Sequence, residues 1–195
     1  MATPKCIALL LTCSLLGSTH PSSGVASEIR GNVSIGLGAH WAPVRALRPP
    51  TLGRRRAPEP ALHALLGHTS IPIVLEGYGS RNRQEVSTAL EYTFEQTVYE
   101  VGIGLAGIWN IGPIRTHFGG GIATVTNQWK PVEGSGGASS SMTRSGPFIS
   151  AGAFLPLVSG FNLGAVGRYT DVDADYGQKL GGWSANALLG WGWHR

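Results

Sequence analysis

The sequence predicts an all-β fold, an eight-stranded antiparallel up-and-down β-barrel behind a cleavable signal peptide. Three observations predict it. Short segments alternate apolar and small polar residues with period two, as strands with two unlike faces do. Glycine makes up 29 of 195 residues, about 15 % against a usual ~7 %, and each glycine would cost a helix interior about 1 kcal/mol. Charged residues are 13 % of the chain, about half the usual ~25 %, too few for a disordered polymer. The glycines keep no period of three, which excludes collagen.

The chain opens on a targeting segment. Lys5 supplies a positive start, Cys6 to Gly17 is apolar except for Thr12, Cys13 and Ser14, and no Asp or Glu precedes Glu28. Val25, Ala26 and Ser27 offer a cleavage point. Residues 1–27 are therefore expected to be a signal peptide and 28–195 a single barrel domain. The apolar stretch is shorter than the ~20 residues a spanning helix needs. An uncleaved anchor and a lipoprotein signal at Cys13 are the alternatives. Both cysteines, Cys6 and Cys13, fall in the segment to be removed. The mature chain then has no disulfide, no thiolate metal site and no cysteine nucleophile.

The strands follow in order. Val33, Ile35, Leu37, Ala39 and Trp41 alternate with Ser34, Gly36, Gly38 and His40. Weaker alternation marks Ile71–Gly79 and Val86–Phe94, with a turn expected at Ser80–Gln84. Tyr99, Val101, Ile103, Leu105 and Trp109 alternate with Glu100, Gly102, Gly104, Ala106 and Ile108, and Asn110–Pro113 reads as the turn that follows. Ile114, Phe118 and Ile122 give the next strand. Ile149–Leu157 and Phe161–Tyr169 form a pair about the turn Val158–Gly160, and Trp183 to Trp193 closes the series. The expected long loops are Ala42–Thr69, Lys130–Ser145 and Asp171–Gly181, with a short one near Glu95–Thr97.

The two faces decide the solvent. One is aliphatic between aromatic ends: Trp41, Tyr99, Trp109, Phe161, Tyr169, Trp183, Trp191 and Trp193. The other is Gly, Ser, Thr and Asn with a few charges. A soluble barrel of this size keeps its bulky aliphatics inside. A membrane barrel wears them outside between aromatic girdles and keeps a polar interior. The eight strands are therefore read as transmembrane, closed so that no backbone edge meets lipid. Glu76, Glu91, Glu100, Arg115, His117 and Arg168 all have the parity opposite the apolar set. They are expected to project into one lumen and to pair there, because unpaired buried charges are costly.

The run Tyr99–Gln128 (YEVGIGLAGIWNIGPIRTHFGGGIATVTNQ) and the run Gly146–Asp175 (GPFISAGAFLPLVSGFNLGAVGRYTDVDAD) resemble the small outer-membrane β-barrel proteins, the OmpA-like transmembrane-barrel type. The points of likeness are the Gly152-Ala153 to Pro156-Leu157 arm running on to Leu163-Gly164, the Arg168-Tyr169-x-Asp171-Val172-Asp173 exit, and the closing strand of alternating aromatics. The resemblance covers about the last hundred residues; earlier residues match in pattern alone. It implies a porin-like chain in the outer membrane of a Gram-negative-type bacterium, inserted by the barrel assembly machinery. In that family the last strand often ends on an aromatic residue, whereas here Trp193 is followed by His194 and Arg195. The barrel is expected to run to residue 195 with no second domain after it.

Chemistry is sparse. No cofactor and no metal site is expected. His63 and His68 stand five apart without a third ligand, short of what zinc requires. Asp171, Asp173 and Asp175 alternate at a strand exit and read as a solvated edge rather than a cation site. His68 and Ser70 are the sole histidine–serine neighbours two residues apart near a strand, and they border a loop. Arg45, Arg48, Arg54, Arg55 and Arg56 share one Pro-rich stretch that reads first as a flexible charged loop and, as the alternative, as a surface for lipopolysaccharide phosphates alongside outer-membrane lipids. Nucleic acid is not a partner for an exported chain. The reading is a non-enzymatic outer-membrane barrel with a structural, surface-interaction or small-pore role. The alternatives are a soluble exported barrel holding an apolar ligand, and a barrel enzyme modifying lipid A or phospholipid.

Overall fold

The computed structural model describes residues 29–41, 53–56, 58–87, 93–132, 138–173 and 180–194. The expected signal peptide lies outside the described residues. The strands are β1 (Ile29–Trp41), β2 (Gly53–Arg56), β3 (Glu59–His68), β4 (Ile73–Ser87), β5 (Thr93–Ile111), β6 (Ile114–Pro131), β7 (Ser140–Pro156), β8 (Phe161–Thr170) and β9 (Gly182–His194). Each pairs antiparallel with its successor from β3 to β9, and β1 joins β9 to β3. The sheet is thus closed on itself as eight staves. β2 and β3 are two parts of one stave, since both pair with β4. Arg56 faces Gln84 and Ala61 faces Ser80, so this stave holds one extra residue at the join, as at a β-bulge.

Three short turns and the outer ends of β1 and β9 occupy one rim. In the first, Ile71 N–H reaches His68 O at 3.3 Å. In the second, Ile111 and Ile114 flank Gly112-Pro113, and Gly112 has φ +59°, which suits glycine at the first central position of a two-residue hairpin loop. The third, Val158–Gly160, is a single 3-10 turn closed by Leu157 N–H on Phe161 O at 2.7 Å. The longer connections join strand ends at the opposite rim.

Two expectations about the first half are corrected, and they cancel in the strand count. Ala42–Thr69 is not one long loop, because it contains the β2–β3 stave. Its arginines and prolines hid an alternation of Ala61, His63 and Leu65 against Leu62, Ala64 and Leu66. Ser80–Gln84 is not a turn and Glu95–Thr97 is not a loop. Both lie within the β4–β5 ladder, where Ser80 faces Glu100 and Ser87 faces Thr93. Val86 faces Phe94 across that hairpin, so the two do not belong to one separate stave. The Lys130–Ser145 loop is also shorter than expected, since β6 runs to Pro131 and β7 starts at Ser140. There Thr124 Oγ1 meets Ser145 Oγ at 2.9 Å and Thr126 Oγ1 meets Thr143 Oγ1 at 3.0 Å. Above the apolar belt the outward face meets water and the buried inward face is largely polar, as at Asn82, Gln84, Thr97 and Asn127, so the apolar alternation that marks a strand is lost.

The outside is apolar. Ile35 (66 % exposed), Ile103 (60 %) and Ile122 (65 %) belong to a continuous exposed belt, far larger than soluble monomers tolerate. Trp41, Tyr169 and Trp183 lie side by side at its upper edge, as Trp41 pairs with Trp183 and Trp183 with Tyr169. Tyr99 is also outward, under the Arg81 guanidinium at 5.5 Å. Trp109, Phe161, Trp191 and Trp193 sit towards the short-turn rim, with Phe161 edge-on to Trp191 at 4.8 Å. Trp183 and Trp191 are eight residues apart. That is about 27 Å of strand at ~3.4 Å per residue, or about 20 Å along the normal at a ~40° tilt, close to the ~25 Å of a membrane-barrel belt. The soluble alternative needs Trp183, Leu189, Trp191 and Trp193 inside; the first three are about half exposed on the outer surface and Trp193 is partly exposed.

The inside is packed, and glycines make the room. A Cβ at Gly102 would collide with the Tyr78 ring, one at Gly119 with Glu76 Oε2, one at Gly152 with His117 Cε1 and one at Gly164 with Phe154. Large and small residues thus interdigitate across a narrow bore.

Two outcomes follow from this packing. Leu189→Arg places a charge on the lipid face and should cost ~2–4 kcal/mol of insertion energy near the midplane, read as loss of folded barrel on an unheated gel, whereas Asn186→Ser on the inner face should fold normally. Gly102→Ala should lower the unfolding temperature, with a cost of about 1–3 kcal/mol for overpacking against Tyr78. Gly77→Ala, where a Cβ meets nothing within 4 Å, is the control expected to be silent.

Candidate functional site: the filled lumen

The inward side chains form successive layers. Nearest the short-turn rim is a polar floor. Asn162 Nδ2 donates to Asn32 Oδ1 at 2.8 Å, and Asn32 Nδ2 donates to Ser34 Oγ at 3.2 Å. All three residues are buried.

Next comes a layer around Glu76, which is 0 % exposed. His63 Nε2 lies 3.0 Å from Glu76 Oε1, and Ser150 Oγ donates to Glu76 Oε2 at 2.7 Å. His117 Nε2 stands 3.8 Å from the same Oε1, beyond hydrogen-bonding distance. Both imidazoles stack on Phe154, at 5.9 and 5.6 Å between ring centres. Leu65, Val74, Ile108, Val166 and Leu188 complete an apolar packing with Phe154.

The third layer is built on Glu100. Its Oε1 accepts from Arg168 Nε at 3.1 Å, from Tyr78 Oη at 2.7 Å and from the Thr170 hydroxyl. The Arg168 guanidinium carbon lies 3.5 Å above the Tyr78 ring centre, a cation–π contact inside the bore. Its Nη2 reaches Ser80 Oγ at 3.4 Å and lies 4.0 Å from Glu59 Oε1. Glu59 is also 4.0 Å from His40 Nδ1. Above this layer, Val125, Val172 and Leu180 form a buried apolar cap with Val98 and Met142 against it. Gln84, Gln96 and Asn127 link across the rim, Gln96 Nε2 donating to Asn127 Oδ1 at 3.1 Å.

Of the six charges expected in the lumen, Glu76 and His117 share one layer, and Glu100 and Arg168 share another. Arg115 has the same facing, paired across the ladder with buried Phe154, but is half-buried near the short-turn rim. Glu91 lies outside the described residues. Sequence reasoning missed Glu59 and His63 as inward residues because their stave was read as loop. It missed Tyr78 although it shares the parity of Glu76. No signal in the sequence could pair Thr170 with Glu100 or Ser150 with Glu76, since that needs the closed sheet. Ser70 meets His68 through its backbone N–H, at 3.2 Å from Nδ1. Of the acidic strand exit, Asp171 N–H donates to Pro147 O at 2.9 Å, and Asp175 lies outside the described residues.

No protein-family model matches the chain, and no curated protein sequence matches it. Solved structures do. Ail, the attachment invasion locus protein of Yersinia pestis, in complex with the heparin analogue sucrose octasulfate, aligns with a TM-score of 0.58 at 14 % identity, over 85 % of this chain and 99 % of that one. A major outer membrane protein from Thermus thermophilus aligns with a TM-score of 0.55 at 10 % identity, over 86 % and 99 %. The outer membrane protein OprG from Pseudomonas aeruginosa gives 0.52 at 11 % identity, over 86 % and 95 %. At such identities the likeness is one of fold. Joined to the exposed apolar belt and its aromatic edges, it gives this chain the fold of the small eight-stranded outer-membrane β-barrels, the fold that its resemblance to the OmpA-like barrels implied.

Proposed function

We propose that this protein is a non-enzymatic barrel of the outer membrane of a Gram-negative-type bacterium, acting through its surface and not through its bore. One observation carries this reading: the lumen is occupied from floor to cap, with Arg168 and Glu100 bonded across its middle. A bore blocked by buried, mutually bonded side chains does not offer a solute path. Two further points support it. The His68–Ser70 pair lacks a hydroxyl-to-imidazole bond, the arrangement a serine nucleophile needs. The staves β4 to β7 continue above the aromatic edge into a polar wall, where Arg83 Nη2 bonds Glu95 Oε2 at 2.5 Å.

The partners that fit this surface are anionic. Arg54, Arg55 and Arg56 lie on β2 at that rim, next to Arg45 and Arg48 in sequence. Such a cluster suits the phosphates of lipopolysaccharide. Ail was solved with a polysulfated ligand, and an anionic glycan is the corresponding ligand class here. Insertion by the barrel assembly machinery, after removal of residues 1–27, completes the proposal.

Planar-bilayer recording tests it. The parent barrel should pass no steady current. Arg168→Ala leaves Glu100 without its cation in a confined site, at a cost of roughly 3–5 kcal/mol where it is fully buried. That variant should unfold at a lower temperature in detergent and open more often in the bilayer. A steady conductance in the parent, or a variant unchanged in both measurements, overturns the reading.

A further inference from the structure

We propose that the lower lumen is a binding site for one divalent transition-metal ion, with His63, Glu76 and His117 as its protein ligands. The ion is of the borderline class represented by Zn2+. The proposal is independent of whether the barrel conducts.

The donors converge. One ligand atom from each of the three residues lies within 4.8 Å of the others. Nε2 of His63 and Nε2 of His117 stand 3.0 and 3.8 Å from Glu76 Oε1. Donors bound to one zinc ion at ~2.0–2.1 Å in a tetrahedron are about 3.3 Å apart, so the two separations from the carboxylate need shifts of tenths of an ångström, and the two imidazole nitrogens, which lie within 4.8 Å of each other, draw together on binding. The trio leaves a fourth position to water.

The imidazoles are otherwise unexplained. Neither ring nitrogen of buried His117 has a hydrogen-bond partner, and Nδ1 of buried His63 has none, among the described residues. Buried polar atoms are normally satisfied. A hydrogen-bond network would turn His117 onto the carboxylate, but it stops at 3.8 Å, beyond hydrogen-bonding distance. Glu76 is meanwhile oriented from behind, as Ser150 holds Oε2 and leaves Oε1 towards both rings. Phe154 fixes the ring planes, tilted 24° and 26° from its own.

The backbone is shaped for these side chains. A Cβ at Gly119 would strike the Glu76 carboxylate and one at Gly152 would strike His117. On the intervening stave β5, Gly104 stands opposite Glu76 and Ala106 follows it inward, so residues of β3, β4 and β6 meet across it, with Ile108 beside His117 in the apolar shell. With neutral imidazoles the trio carries one negative charge in an apolar shell, which a divalent cation offsets. Two imidazoles and one carboxylate suit zinc, cobalt, nickel or copper rather than calcium or magnesium, which take oxygen ligands. Because three staves supply the ligands, the site exists only in the closed barrel, and metal binding is coupled to folding.

The test uses the purified barrel in detergent, stripped with chelator and titrated with Co2+ as a visible probe. One ion per chain with the strong absorption of tetrahedral cobalt is expected, displaced by Zn2+ and absent from the urea-unfolded chain. Zn2+ should raise the unfolding temperature of the parent. Glu76→Gln and His117→Gln, checked for folding by their gel shift, should bind at least ~10-fold more weakly. His68→Gln, at the exposed turn, should bind as the parent does. In the parent itself the imidazole NMR signals of His63 and His117 should move together on Zn2+ addition, which decides the matter even if a variant fails to fold. Only weak octahedral absorption, or unmoved His63 and His117 signals, overturns the proposal. So does unchanged affinity in a folded His117→Gln variant.

Discussion

The width of an eight-stranded bore governs everything inside this molecule. Such a barrel is just wide enough to be filled by side chains. It cannot hold eight bulky residues at one level, nor hydrate a charge with bulk water. Several large inward residues therefore stand opposite a glycine: Tyr78 over Gly102, His117 over Gly152, Phe154 over Gly164. The glycine content that argued against helices is in part the volume those residues require. Glu100 and Glu76 are likewise matched by donors drawn from other staves. Glu100 takes Tyr78 from β4 and Arg168 and Thr170 from β8, and Glu76 takes Ser150 from β7. These bonds tie opposite walls together, which a ladder of neighbouring strands cannot do.

The outer face answers to a different solvent, and the two faces share one alternation. Reversing the parity of any stave would put Glu100 or Arg168 into lipid and Ile103 or Leu163 into a polar lumen, so register is specified twice over. That double penalty sets in only within the apolar belt. Above it, Ser140–Ser145 and Arg81–Glu85 meet water on the outside and the mouth of the lumen on the inside. Paired Thr, Ser, Gln and Asn side chains hold the ladder there. The molecule is thus a rigid belt carrying an uneven polar wall, taller on β4 to β7 than on β1, β8 and β9.

Lumen chemistry depends on which layer a residue occupies more than on its type. Arg168 sits between a carboxylate and an aromatic face and is fully engaged. His117, a few residues nearer the short-turn rim of its own stave, meets a carboxylate that Ser150 and His63 already hold. The upper layer is bonded through Glu100, with buried Glu59 at its edge held, among the described residues, only by ion-pair contacts at 4.0 Å, whereas the lower one keeps donors directed at a common point.

The sequence by itself determined the class of the molecule and the facing of its residues. Period-two alternation with aromatic ends is a local property, written in Val33–Trp41, Tyr99–Trp109 and Trp183–Trp193 without reference to any neighbour. It marked Glu76, Glu100, His117 and Arg168 as inward for the same reason. It is silent where both faces are polar, as along Ser80–Ser87 and Thr93–Thr97, so the paired ends of β4 and β5 carry no strand signal. It was masked where prolines and arginines border a stave, so Glu59–His68 was taken for loop. Tertiary structure alone decided which inward residues share a layer. That depends on the stagger between staves and on closure of β1 against β9, sums over many pairings that no single segment contains. Arg168 therefore meets Glu100 across 68 residues of chain, and Ser150 meets Glu76 across 74, by a geometry that exists only once the barrel has closed.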